Sequence, residues 1–229
     1  MQDIRTTTII TAFATAAIIS SAGAAHASFT VQNDVAVSFA ANDLDGIVGS
    51  GIGNSDFEVA TNAAEGIEIG LKAIERFEGD LSSSNGTYFA PIGEDAPGLA
   101  EWNYVVVFDL GTSTVSDFDI QFDIDFDPAF GAQDFVSIDV DFQAGLLGQG
   151  GASQGGDSQN LGFSFWQNLF SAPTFDPNAV GEYDLVYTVF QKGTDNVLAQ
   201  ADITVVVPTP GTAGLLALAG LTATRRRRA

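Results

Sequence analysis

The fold class this sequence predicts is all-β, a single antiparallel β-sandwich of jelly-roll or immunoglobulin-like type, and three observations predict it. In Asp117-Phe-Asp-Ile-Gln-Phe-Asp-Ile-Asp-Phe-Asp127 every second residue is apolar, the period of a strand with one buried face. After Pro128-Ala-Phe-Gly131 the period resumes, with Val136, Ile138, Val140 and Phe142 inward and Ser137, Asp139 and Asp141 outward, so the two runs are expected to pair as a hairpin. Further runs rich in β-branched and aromatic residues recur along the chain with turn residues between them. The expected division is a signal peptide over 1–27, an acidic sandwich domain over 28–206 and a short hydrophobic helical tail over 207–229.

From the N terminus, Arg5 supplies a positive start, Ile9 to Ile19 an apolar run rich in Ala and Ile, and Ala25-His26-Ala27 a small-residue cleavage site. The exported chain is therefore expected to begin at Ser28. A retained N-terminal anchor is the alternative, and the small residues from Ser20 to Ala27 count against it.

Within the body, strands are expected over Val31 to Phe39, Ile67 to Ala73, Tyr88 to Ala90, Trp102 to Leu110, Leu161 to Trp166, Tyr183 to Phe190 and Val197 to Val207, with Lys192-Gly-Thr-Asp195 turning between the last two. Ile67, Leu71 and Ile74 also fit a helical stripe, but Ile67, Ile69, Leu71 and Ala73 alternate, and Gly66 and Gly70 disfavour helix. Two Gly-rich stretches, Gly46 to Gly53 and Gly145 to Gly156, are expected to be flexible connections. Neither has the strand, helix or Lys-Ser/Thr context of a phosphate loop.

Composition excludes whole classes of chemistry. Met1 is the only methionine, His26 the only histidine, and there is no cysteine, so the body beyond Ser28 holds no thiol, thioether or imidazole. Ser-His-Asp and Cys-His triads, His-ligated zinc, haem and iron–sulfur sites all fall away. Residues 28–207 carry 28 Asp and Glu against only Lys72, Arg76 and Lys192. Such a surface repels nucleic acid and anionic membranes and attracts divalent cations or cationic partners. Solubility in salt is the plainer reason for it, because screening beyond about 8 Å at physiological ionic strength makes the repulsion tolerable.

Any catalysis would have to run on carboxylates, and the aspartate ladder is the place to look. Alternate residues of a strand lie about 6.8 Å apart, and residues facing across a pair roughly 4.5 to 5.5 Å. Asp119, Asp123, Asp125, Asp139 and Asp141 are thus expected to converge on one sheet face as a weak Ca²⁺ site or, alternatively, a solvated acidic face. An EF-hand is excluded, since Asp123-x-Asp125-x-Asp127 has Pro128 where the loop needs Gly, and Asn42-Asp-Leu-Asp-Gly46 reads as a turn. A glycosidase pair needs two acids about 5 to 9 Å apart across a cleft. Trp102, Tyr104 and Trp166 would be its stacking residues, although aromatics in alternating strands usually belong to the core.

The end of the chain reads as an address. Val207-Pro208-Thr209-Pro210 is a hinge that neither helix nor central strand crosses, and Gly211 to Thr224 is an apolar segment of fourteen residues. Arg225, Arg226, Arg227 and Arg228 then form a block of like charge. As a helix its fourteen residues reach about 21 Å, short of the roughly 30 Å, or about 20 residues, that a bilayer core needs. The four arginines stay on the cytoplasmic side, so the body would have crossed while the tail waits in the membrane.

This tail, Val207 to Arg228, resembles the PEP-CTERM sorting domain of exported proteins of Gram-negative bacteria, which implies handling by an exosortase-type membrane protease. It departs where Thr209 replaces the family's usual Glu. The alternative is an ordinary C-terminal anchor with a stop-transfer Arg cluster; a Gram-positive wall signal fits worse, because Leu-Pro-x-Thr-Gly is missing. The body also resembles a group of PEP-CTERM-bearing β proteins without an assigned activity, in Leu71 to Phe77, Trp102 to Val105, Asp123 to Pro128, Leu161 to Trp166 and Phe175 to Asp184. The resemblance implies an exported surface or matrix protein associated with extracellular polysaccharide and brings no catalytic residues. A Ca²⁺-assisted carbohydrate-binding or adhesion module and a carboxylate-dependent glycoside hydrolase are the alternatives.

Overall fold

The computed structural model describes residues 28–38, 55–131, 134–140 and 150–209. In chain order the strands are β1 (Thr30–Val35), β2 (Phe57–Asn62), β3 (Ile67–Glu75), β4 (Gly79–Asp80), β5 (Ser82–Ser84), β6 (Thr87–Phe89), β7 (Glu94–Ala96), β8 (Leu99–Ala100), β9 (Trp102–Asp109), β10 (Phe118–Asp125), β11 (Phe135–Asp139) and β12 (Gln154–Gln159). A short helix α1 (Ser164–Phe170) follows, then the two long strands β13 (Gly181–Gln191) and β14 (Val197–Val207).

Two six-stranded sheets result. The first runs β1-β2-β3-β9-β12, with β4 on β3, and the second runs β11-β10-β13-β14-β6-β5; β7 and β8 form a separate ribbon. All pairings within the two sheets are antiparallel except β14 with β6, where Thr204–Val206 runs parallel to Thr87–Phe89. The all-antiparallel expectation is corrected at that point. Tyr88 must bring its ring into the core while Ala90 N–H reaches Val206 O, and the chain arrives at β14 in the parallel sense.

The alternating runs behave as their period dictates. Phe118, Ile120, Phe122 and Ile124 of β10 are all buried on the inner face, as are Tyr183, Leu185, Tyr187 and Val189 of β13. Across the interior Trp102 meets Tyr183 at 5.8 Å and Phe175 at 6.3 Å, and Tyr104 meets Phe122 at 4.9 Å. Each such side chain contributes roughly 1.5–3 kcal/mol by burial, so this aromatic layer helps to join the sheets, alongside buried aliphatics such as Ile69, Leu71 and Ile203.

The first sheet is buried on its outer face as well. Val37 lies against Phe57, Val59, Ile74, Val105 and Val107 in a second apolar cluster. It sits there because Gly70 has no side chain: a Cβ would come within 2.9 Å of Val37, Phe57 and Val107. The fully buried Lys72 ends in this cluster, its Nζ 4.6 Å from the Phe57 ring centroid, 2.6 Å from Asp80 and 3.1 Å from Ser55 O.

Three expectations differ from the structure, and one strand, β2, was not expected. Leu161 to Trp166 is not a strand; Gly162 turns the chain and Trp166 and Phe170 lie one helical turn apart on α1, with Trp166 packed on Tyr104 and Phe126. The alternation of Leu161, Phe163 and Phe165 masked that stripe. Gly155 and Gly156 are not a flexible connection but part of β12, where the missing Cβ of Gly155 leaves room for the Phe108 ring. β2 carries no clean alternation because both its faces are buried. Asp125 is 1% exposed rather than turned to water. Residues 1–27, 39–54, 132–133, 141–149 and 210–229 lie outside the described residues, and with them the expected signal peptide, the expected Asn42 to Gly46 turn, the Gly46 to Gly53 stretch, the apolar tail segment and the arginine block.

Candidate functional site

β10 and β11 form the predicted hairpin, and its register decides what the aspartate ladder can do. Asp139 stands opposite Gln121, Asp123 opposite Ser137 and Asp125 opposite Phe135, so among the described residues no two acids of the hairpin are paired directly. Like charges are interleaved with neutral partners, which removes most of the repulsion that a cation would otherwise relieve.

Three of the carboxylates also have donors of their own. Asp119 accepts from the Lys192 ammonium at 2.8 Å and from Gly193 N–H at 2.7 Å. Asp123 accepts from Gln121 at 2.7 and 2.9 Å and from the Ser137 hydroxyl. Asp125 turns to the loop that follows it and accepts the Asp127 N–H at 2.9 Å. Burial pushes its carboxyl up, and backbone donation from Asp127 and Asp134 partly offsets this. Asp141 lies outside the described residues, and among those described no group of three or more acids is placed to hold a metal ion.

What the hairpin does form is a shallow groove of about 230 Å³ on the outer face of the second sheet. Asp119, Gln121, Ser137 and Asp139 line it with Phe190. Trp102, Tyr104 and Trp166, the residues expected to stack on a sugar, are only 2–3% exposed and belong to the core.

At the C-terminal end, β14 closes on Val207, which is 2% exposed and pairs with Gly181. Pro208 and Thr209 follow outside any strand. Of the remaining residues of the expected sorting motif, Pro210, Arg225, Arg226, Arg227 and Arg228 all lie outside the described residues. At the other end Ser28 is the first described residue, and Ala25 and Ala27 of the expected cleavage site lie outside.

Sequence reasoning missed a second acidic region, on the flank where β1 and β2 meet β14, β6 and β5. Glu58 of β2 is 4% exposed and accepts the Asp202 N–H at 2.6 Å. Burial pushes its carboxyl up to about 7, with the neighbouring acids Asp202 and Asp34 adding to the rise and the backbone N–H opposing it. Burial also raises Asp202, helped by Asp184. Asp34, held at φ 56° in a bulge of β1, accepts from Ser83 at 2.6 Å and from Asn85 N–H at 2.9 Å. No spacing in the sequence joins residues 34, 58 and 202: the β1–β2 pairing brings 34 beside 58, and the packing of one sheet on the other adds 202.

A buried asparagine was equally hidden. Asn160, fully buried, bonds Ala100 N–H and O, Trp102 O, Asn103 and Gly162 N–H, and its own carbonyl accepts the Trp166 indole N–H at 2.8 Å. It ties the bend between β8 and β9 to the start of α1.

Comparison with protein-family models and with curated proteins finds no match. Among solved structures, the soluble domain of PmoD from Methylocystis sp. (Rockwell) aligns with 60% of this chain and 90% of that one, at 13% identity and a TM-score of 0.30. A likeness that low carries no inference about fold or function.

Proposed function

We propose that this chain is an exported β-sandwich protein of the cell surface or extracellular matrix, without catalytic activity, sorted through its C-terminal tail by an exosortase-type membrane protease and associated with extracellular polysaccharide. The observation that carries the reading is the way β14 ends. It lies inside its sheet, between β13 and β6, and both partners precede it in the chain. The strand terminates at Val207, immediately before Pro208-Thr209-Pro210. Cutting the chain beyond that hinge therefore leaves every described strand pairing intact, which is what a removable sorting tail requires.

Two further observations support it. The large aromatics form the core, and Asp119 and Asp123 of the hairpin are held by their own donors, an arrangement that suits a stable, highly charged structural module. The acidic surface disfavours nucleic acid as a partner.

The experiment is to express in the native host a chain in which Arg225, Arg226, Arg227 and Arg228 are all replaced by Ser. Sorting predicts that the altered protein no longer reaches the surface in its normal amount. Unchanged surface delivery would overturn the role given to the tail. Co-sedimentation of the wild-type protein with the host's own exopolysaccharide tests the matrix association, and its loss into the supernatant would contradict it.

A further inference from the structure

The flank of β14 between Leu198 and Asp202 raises a question of hydrogen bonding. β6 pairs with β14 only over Thr204–Val206, and the opposite flank belongs to β13, with Val186 across from Asp202. Toward Leu198 the exposed edge of β14 is met by side chains of the other sheet. Glu58 Oε1 accepts the Asp202 N–H at 2.6 Å, and four residues further along both strands Asn62 Nδ2 donates to Leu198 O at 2.9 Å. Two side chains of β2 thus stand in for a missing strand, one of them unable to titrate and the other able to.

We propose that Glu58 is a proton-operated clasp between the two sheets. With its carboxyl neutral, it accepts the Asp202 N–H and donates to the Asp202 carboxylate; loss of that proton sets like charges against each other and loosens the seam between β2 and β14.

The geometry leaves the ionised group little relief. Glu58 is buried against the turn between β5 and β6, its Oε2 only 2.5 Å from where a Cβ on Gly86 would stand. The charged groups that act on it are acids: Asp202 on β14 and Asp34 on β1. Tyr88 on β6 lies in the same field, together with Asp56 and Asp80. The ammonium of Lys72 is directed to the outer face of the first sheet, to Asp80 and Ser55 O beside Phe57. The Asp202 carboxyl adds its charge to the rise at Glu58, and a proton held on Glu58 relieves the repulsion between them. Burial pushes Glu58 up to about 7, so the clasp releases near neutrality. Release uncovers the N–H and C=O groups of an unpaired strand edge, the kind of surface that pairs with another chain.

Amide hydrogen exchange of the full chain, followed from pH 5 to 9 and corrected for intrinsic exchange, reads the clasp directly. From pH 5 to about 7, where only the closed form keeps the Glu58 proton, the Asp202 amide is expected to lose protection by up to about tenfold per pH unit, levelling off above that. In Glu58→Gln, which keeps both hydrogen bonds without a titrating proton, that loss should vanish. An identical pH dependence in the two proteins would overturn the proposal. Should Glu58→Gln fail to fold, Asp202→Asn decides: the ¹³C titration midpoint of the Glu58 carboxyl should lie near 7 in the wild type and move down in the variant. A wild-type midpoint near the ordinary 4.5 would overturn the proposal as well.

Discussion

The molecule carries acids in two contrasting regions. On the outer face of the β10–β11 hairpin they are numerous and regular, and Asp119, Asp123 and Asp125 are held by donors of their own, whether Lys192, Gln121, Ser137 or backbone N–H groups. At the seam between β2 and β14 they are few and scattered in sequence, and buried Glu58 has the Asp202 N–H as its donor and the acids Asp202 and Asp34 as its charged neighbours. The ladder is the conspicuous feature of the sequence, yet the seam is where burial gives a carboxyl unusual properties. Density of charge along a strand and electrostatic consequence are separate matters. Register and burial decide the second.

That contrast can be broken experimentally, and the core sets the scale. Trp102→Ala removes the ring that meets Tyr183 and Phe175 across the sheets and is expected to cost about 3–5 kcal/mol in denaturant unfolding. A loss below about 1 kcal/mol would show that the aromatic layer does not join the sheets.

Next comes the seam. Glu58→Ala leaves the Asp202 N–H without its acceptor and is expected to cost about 1–3 kcal/mol at pH 5. The wild type should also lose stability as pH rises. Below about 4.5 the Glu58 carboxyl is protonated in both the folded and unfolded chain; between there and about 7 only the folded chain keeps the proton, so stability falls, and above that the loss is complete. Melting temperatures of wild type and Glu58→Gln should therefore diverge as pH rises through that window, with the variant melting higher at pH 8. Asp117 has the opposite sign. Backbone and side-chain donation from Thr114 hold its carboxyl below the ordinary range, so what it adds is present at neutral pH and lost on acidification.

The smallest effects belong to the hairpin face. Lys192→Met breaks an ion pair whose side chains are 48% and 40% exposed and should change stability by less than about 1 kcal/mol. Millimolar Ca²⁺ is expected to raise the melting temperature no more than an equal ionic strength of NaCl. A clear Ca²⁺-specific rise, abolished by Asp119→Asn or Asp139→Asn, would restore the hairpin as a cation site.

Much of the fold was legible because one-sided strands announce themselves. Phe118 to Ile124 and Tyr183 to Val189 alternate and are strands with the expected residues buried; Ile67 to Ala73 was legible too, although β3 is buried on both faces, because Glu68, Gly70 and Lys72 keep the alternation in sequence. Legibility failed where the environment is two-sided or the backbone matters more than the side chain. β2 is buried on both faces, β12 uses Gly155 to admit Phe108, and α1 turns aromatics spaced as a strand into a helical stripe around Trp166. The candidate site was legible in composition but not in arrangement. The run of aspartates could be read directly, whereas the pairing of Asp139 with Gln121 and the meeting of Glu58 with Asp202 depend on register and on sheet-to-sheet packing.

The central claim is that the body is exported and parted from its tail beyond β14. Its most direct test is the intact mass of the native protein recovered from separated membrane, surface and medium fractions of its own cells. The account predicts a surface or medium species that begins at Ser28 and lacks Arg225, Arg226, Arg227 and Arg228. A chain still ending in Arg225-Arg-Arg-Arg-Ala229 and confined to the inner membrane would contradict it.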